Sequence, residues 1–246
     1  GVVLAVVAGE DRDDHARAGD FVAAVGELMR HQKEKGELLR MVSVTDDSRA
    51  RLEAAFPGQF SFERRRDMDD YIHLTASLGE FKGKDFHGKR GHVKKFTTLY
   101  NYEYRAMTPE LVPDVLEMNS AWCRGHSYDD DDAARHEKLA AELLLTNFEA
   151  LHVEGGVLLV DGKVVAASAG TPQFPGSDTI VVHFEKGLTE YEGIYSAICH
   201  FFMEDCSHRY TYANREEDMG IPGLRKSKLS YYPELILAKY EAIWRE

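Results

Sequence analysis

The chain has 246 residues, 43% hydrophobic and 29% charged, with a formal net charge of −12. Its length supports one large core or two small ones, and the acidic balance excludes broad, nonspecific nucleic-acid binding, which needs a basic surface. No apolar run approaches the roughly 20 residues of a membrane helix, and three sparse cysteines without a CxxC spacing (Cys123, Cys199, Cys206) predict a reducing, cytoplasmic setting with buried thiols.

Residues 2–8 are continuously apolar and are expected to form a buried strand. The run is too short to span a bilayer and has no basic leader, so it is not read as a signal peptide. Residues 9–19 read as a polar loop. Asp20 is a cap candidate for a helix to Lys35, with Phe21, Val25, Leu28 and Met29 at helical spacing. Residues 38–44 read as a strand. Thr45 is the expected N-cap of a helix over 50–56, stopped by Pro57 and Gly58. Residues 60–64 and 70–75 read as two further strands. Strands and helices thus mix over the first third in an α/β pattern.

From Lys82 to Lys95 the sequence turns basic. Phe86, Lys89/Arg90, Val93 and Phe96 recur at helical spacing, with one face apolar and the other strongly basic, and His87 lies in the same run. Gly88 and Gly91 weaken such a helix by roughly 1 kcal/mol each relative to Ala. A basic helix is either a solvated link or a phosphate-contacting element, and charge alone leaves both readings open. Residues 99–107 return to strand alternation. Thr108, Pro109 and Glu110 then form a helix start, with the helix expected to reach Cys123 and to break at 125–127. The acids at 129–132 favour the start of the next helix, which runs to about Phe148. They are read as capping and solvation, because neither convergent mixed ligands nor a DxDxDG spacing accompanies them, and no metal site is expected.

Asp161-Gly162 between two apolar runs (157–160 and 163–167) is a strong hairpin signal. The small residues at 166–170 predict close approach of another backbone or a ligand. A strand is expected over 178–186, an amphipathic helix from Ile194 through Phe202, a strand over 209–213 and a closing strand or short helix over 233–244. The two halves follow a similar order, without a repeat at residue level.

The densest chemistry lies in 214–233, NREEDMGIPGLRKSKLSYYP. Acids (Glu216, Glu217, Asp218), a Gly/Pro turn, bases (Arg225, Lys226, Lys228) and two tyrosines follow one another. Such a mixture can hold a charged substrate and move a proton, and it can equally be a salt-bridged surface.

Taken together, DYIHL (70–74), KxxHGKRxHxxxF (84–96), LLVDGKVVAAS (158–168), HFEKGLTEYEGIY (183–195) and the 214–233 run resemble the C-terminal catalytic domain of phosphatidylglycerol lysyltransferases and its soluble bacterial relatives, within the GNAT-like acyltransferases. The resemblance covers the chain from about Asp67 onward. It implies an α/β (α+β) tandem GNAT-like fold with two mixed sheets flanked by helices, divided here as 1–98 and 99–246. It also implies an acyltransferase. Its co-substrate is aminoacyl-tRNA or acyl-CoA, with no tightly bound cofactor, and its acceptor is an amine, a hydroxyl or an anionic lipid head group.

Transfer from an ester needs a base, oxyanion donors and a grip on the leaving group. Glu185, Glu216 and Asp218 are the candidate bases. Lys186, Tyr195, Asn214, Arg215, Arg225 and Lys228 are the candidate substrate contacts, with Arg225 and Lys228 three apart on one helix face. His87, Lys89, Arg90 and Gly193 are the candidate phosphate or tRNA contacts, Gly193 because a helix start after glycine is open to an anion. His183 and His87 are further acid–base candidates, with a structural histidine as the alternative. The fuller Gly-rich loop of CoA-binding relatives does not appear in the sequence.

Overall fold

The computed structural model describes residues 3–5, 14–125 and 132–245. Residues 126–127 of the expected break, most of the 129–132 acidic run and residues 9–13 lie outside these residues. Residues 14–19, read as loop, form the start of the helix Asp14–Lys35, so Asp20 lies inside that helix and does not cap it.

By contacts the chain forms two compact units. One gathers residues 1–71, 217–229 and 235–246; the other gathers 72–216 and 230–234. These units are cut differently from the halves 1–98 and 99–246. The reason is pairing: Asp70–Leu74 (β4) lies antiparallel to Tyr212–Asn214 (β9), and the helices Thr75–Glu80 (α3) and His87–Leu99 (α4) pack on Ile194–Cys206 (α7).

The first unit holds a four-stranded mixed sheet. Val3–Ala5 (β1) runs parallel to Arg40–Val44 (β2), and Tyr240–Trp244 (β11) lies antiparallel to both β2 and Phe60–Arg64 (β3). The helices Asp14–Lys35 (α1) and Asp46–Ala55 (α2) accompany it. Val25, Met29, Leu39, Met41, Leu52 and Ala242 make its core. Thr45 caps α2 as expected, its hydroxyl accepting from the Ser48 amide at 3.3 Å. The short helix Pro222–Leu229 (α8) and the strand Leu235–Leu237 (β10) also belong to this unit.

In the second unit the strands run in the order β4-β9-β8-β7-β6-β5, with Tyr102–Ala106 (β5), Glu154–Val160 (β6), Lys163–Pro172 (β7) and Thr179–Gly187 (β8). The Asp-Gly hairpin forms between β6 and β7. Asp161 and Gly162 both take positive φ (48° and 79°), as a type I′ turn requires. β8 and β9 are parallel, connected through α7. This meander, helix and parallel strand form the core of the unit. Cores fill both faces of the sheet: Ile180, Val182, Phe202 and Met203 in one cluster, Val157, Ala167 and Phe184 in another with Val112–Gly125 (α5) and Asp132–Thr146 (α6). The Thr108 start differs in detail. Pro109–Leu111 is a 3-10 turn ahead of α5, and the Thr108 side chain caps nothing. Helix α3 was not expected. Its six residues are too few for periodicity to register.

Candidate functional site

The functional candidates fall into separate groups, one in the first unit and the rest in the second. In the first unit, buried Asp218 accepts from Arg225 Nε at 2.7 Å and Arg225 Nη2 at 2.9 Å, from the Tyr71 hydroxyl at 2.5 Å, from Arg66 Nη1 at 3.2 Å and from the Gly220 amide at 2.9 Å. Arg225's bonds first, with those of Tyr71 and Gly220, hold its carboxyl far below the usual carboxylate range against the effect of burial. A carboxylate this well supplied is a poor proton acceptor. Asp218 is therefore a clamp on its loop, not the base that its residue type suggested. Arg225 and Lys228 are likewise engaged: Arg225 on Asp218, and Lys228 Nζ on the Glu217 carbonyl at 2.5 Å. Beyond the clamp, Met219 and Ile221 are 56% and 48% exposed, and Lys226 is exposed on α8.

In the second unit, three consecutive residues at the end of β9 diverge. Asn214 is buried and accepts from the Glu216 amide at 2.8 Å, an Asx turn that holds Glu216 at a φ of 54°. Arg215 Nη2 donates to Glu185 Oε1 of β8 at 2.5 Å. Glu216 meets His183 Nδ1 at 3.0 Å.

Around Glu185–Arg215 sits a largely buried cluster. The Arg215 guanidinium lies 4.5 Å from the Tyr231 ring centroid, and Lys89 Nζ lies 3.4 Å from the same centroid. Lys89 also donates to Ser230 Oγ at 2.8 Å. Burial, aided by the Arg215 charge, lowers the Lys89 pKa to about 8. Cys199 of α7 is buried beside these charges, and burial pushes its thiol up to about 12, so it is an inert core residue. Glu185 Oε2 is buried and takes no hydrogen bond among the described residues. Sequence spacing missed Tyr231 as the shared wall of two cations; the YYP run was its only signal.

Lys186 points to the opposite face. It is buried over the Trp122 ring at 4.1 Å, with Glu137 Oε1 at 2.9 Å. Trp122 Nε1 donates to the Tyr195 hydroxyl at 2.7 Å, and burial raises the Tyr195 pKa. Of the basic-helix candidates, the structure brings only Lys89 into the cluster. Arg90 donates to the carbonyls of Phe81 and Gly83, and His87 is exposed.

Gly193 caps α7 at a φ of 82°. A Cβ there would meet the His92 carbonyl oxygen at 2.2 Å, so glycine is required both by conformation and by the close passage of α4. An open pocket of ≈ 190 Å³ lies at this helix start, lined by His92, Thr189, Glu192, Gly193, Tyr195 and Ser196 among others. Lys95 pairs with Glu192 at its edge. Of these lining residues, the sequence analysis singled out Gly193 and Tyr195, but not His92, Thr189, Glu192 or Ser196.

The sequence profile described as "Phosphatidylglycerol lysyltransferase, C-terminal" matches residues 15–243. Among solved structures, a conserved protein of unknown function from Bacteroides thetaiotaomicron is 39% identical, with 91% of this chain and 75% of that one covered at a TM-score of 0.86. L-PGS from Bacillus licheniformis is 15% identical, with 95% and 74% covered at 0.68. The C-terminal domain of a putative lysylphosphatidylglycerol synthetase from Agrobacterium fabrum is 12% identical, with 92% and 73% covered at 0.67. The last two likenesses concern the fold. No curated protein matches the chain in sequence.

Proposed function

For a chain that belongs to the phosphatidylglycerol lysyltransferase C-terminal family, an acyl or aminoacyl transferase family, we propose aminoacyl transfer from aminoacyl-tRNA to an amine or hydroxyl acceptor. The observation that carries this reading is Glu185. One of its oxygens is held by Arg215, while the other is buried with no partner among the described residues. A buried, unmet acceptor oxygen leaves a position for an N–H or O–H of the substrate. Arg215 and Lys89 flank it with positive charge, which suits a carbonyl oxygen that turns negative in the transition state. Glu185 orients the nucleophile in this scheme, and Lys89 and Arg215 steady the charge.

The open start of α7 at Gly193 receives a phosphate of the donor, by the first-turn amides that follow Ile194, whose own amide donates to the Tyr191 carbonyl, and by the helix dipole. His92 and Lys95 lie on the same side. Among the described residues no helix is long and apolar enough to cross a membrane. The acceptor proposed is an anionic lipid head group, the class that the family's description names.

The test supplies purified protein with lysyl-tRNA or alanyl-tRNA and vesicles containing phosphatidylglycerol, and follows labelled amino acid into the lipid. Transfer supports the reading. Incorporation into small amines from acyl-CoA in place of aminoacyl-tRNA supports a CoA-dependent N-acyltransferase, the second reading, for which the same α7 start serves as the phosphate site. No transfer from any donor, with the fold intact, leaves a binding module.

A further inference from the structure

Next to the Glu185 cluster the second unit carries an arrangement that the scheme above does not use. His183 Nδ1 lies 3.0 Å from Glu216 Oε1, and His183 Nε2 lies 2.9 Å from Thr171 Oγ1. In a neutral imidazole beside a carboxylate, these two bonds fix one tautomer. Nδ1–H donates to Glu216, and the Thr171 hydroxyl donates to Nε2. The order hydroxyl, imidazole, carboxylate is that of an activated oxygen with an oriented base.

Three features of the backbone converge on this arrangement. The first is at β8, where the register with β7 passes from Ala169↔Phe184 to Gly170↔Val182, so His183 is the extra residue of a β-bulge. Bulges re-aim a side chain, and His183 is turned outward, 32% exposed, between buried Val182 and Phe184. The second is Gly170, next to Thr171, where a Cβ would meet the Val181 carbonyl oxygen at 2.3 Å. The bulge brings the two strands this close, and only glycine allows it. The third is Glu216, whose left-handed backbone is held by the Asx turn on Asn214. Non-glycine residues in this region are strained, and strain of this kind gathers at functional sites. Glu216 is 39% exposed, so the arrangement stands open to a ligand.

We propose that Thr171, His183 and Glu216 form the proton relay of the transfer reaction, deepening the reading given under Proposed function and resting on it. The acceptor nitrogen or oxygen bonds to the acyl carbon. Its proton passes to Thr171 Oγ1 as the Thr171 proton passes to His183 Nε2, and the imidazolium faces the Glu216 carboxylate. The bond from the acyl carbon to the leaving oxygen or sulfur breaks, the leaving atom keeps the electron pair, and the proton returns to it along the same path. The charged groups flanking His183 are Glu216 and the Glu185–Arg215 pair, whose members stand two residues along β8 and one residue before Glu216. A relay through a hydroxyl explains why a threonine sits on the imidazole nitrogen that a base would otherwise leave open. A purely structural histidine needs neither the bulge nor the exposed carboxylate.

Two measurements test the relay. In ligand-free protein, ¹⁵N chemical shifts of the His183 imidazole, assigned by their loss in His183→Gln, are expected to report a protonated Nδ1 and, when neutral, a bare Nε2. Glu216→Ala is expected to shift protonation to Nε2. A neutral Nε2–H form in the wild type overturns the relay. In the lysyl-tRNA transfer assay, His183→Gln is expected to lower kcat by about 100-fold or more with KM little changed, and to remove the rise of rate with pH. Thr171→Val is expected to lower kcat while Thr171→Ser retains it. A His183→Gln enzyme within twofold of wild type, with the same pH profile, also overturns the relay. If the wild type transfers from neither lysyl-tRNA nor acetyl-CoA while the tautomer is as expected, the transfer reading fails and takes the relay's role with it. If transfer proceeds but the tautomer or the variants disagree, the relay alone fails.

Discussion

Asp218 accepts five hydrogen bonds from Arg225, Tyr71, Arg66 and Gly220 and is fully buried. Glu216, two residues earlier in the same acidic run, faces His183 and remains partly open to solvent. Glu185 lies between these extremes, with one oxygen tied to Arg215 and the other unmet. The three carboxylates looked interchangeable as bases. Their surroundings separate them, since a carboxylate supplied with donors keeps its charge and holds structure, whereas one with an open oxygen can receive a substrate proton or hydrogen bond.

The largest expected effect comes from breaking the saturated member. Asp218→Ala strands Arg225, Arg66 and the Tyr71 hydroxyl, and is expected to destabilise the fold by about 3 kcal/mol, read from urea unfolding. The sign of its pH dependence follows from its lowered pKa. The contribution is complete above the ordinary carboxylate pKa of about 4 and is lost as pH falls toward the depressed folded value. Asp218→Asn therefore flattens the acid limb of stability against pH; an unchanged limb would mean that the clamp does not persist in solution.

Glu185→Gln probes the opposite case. It keeps the shape and one acceptor for Arg215, and is expected to lower transfer about 100-fold at a smaller cost in stability than Asp218→Ala, since the buried Arg215 loses its counter-charge but not its hydrogen-bond acceptor. A loss of stability as large as that of Asp218→Ala would place Glu185 with the structural carboxylates.

Gly193→Ala sets a Cβ against the His92 carbonyl at a positive φ, and is expected to cost about 2 kcal/mol and to weaken donor binding. Thermal melting and titration with the donor check both.

Lys89 gives the smallest and most diagnostic effect. Its folded pKa, about 8, lies below the ordinary 10.5. Its charge therefore opposes folding fully below pH 8, and that opposition fades as pH rises from about 8 to about 10.5. Wild type is expected to gain stability over this window relative to Lys89→Met, as measured by melting temperature. Parallel curves would show that Lys89 is solvated in the native protein.

The features set by local sequence were readable in advance. The Asp-Gly hairpin, the Thr45 cap, the α7 periodicity and the mixed α/β order each depend on residues within a few positions, and each formed. Helix α4 formed too, but its basic face split. Lys89 turned inward to Tyr231 and Arg90 turned back to the carbonyls of Phe81 and Gly83, because contacts beyond the helix chose their directions. The relay was readable only in part. His183 and Glu216 stood out singly, but their partnership, and Thr171's part in it, depends on a register slip between strands that no periodicity announces.

By itself, then, the sequence determined which residue types are available and which local elements carry them, since helix spacing, turn chemistry and caps act over a few residues. The tertiary structure alone decided the state of each acid and base in 214–233. Asp218 was closed by donors from Arg66, Tyr71 and Arg225, Arg215 was drawn to Glu185 thirty positions away, and Glu216 was turned by Asn214 toward His183. The physical reason is that a carboxylate's chemistry is set by how many donors reach it and how much water remains, and both are fixed by segments distant in the chain.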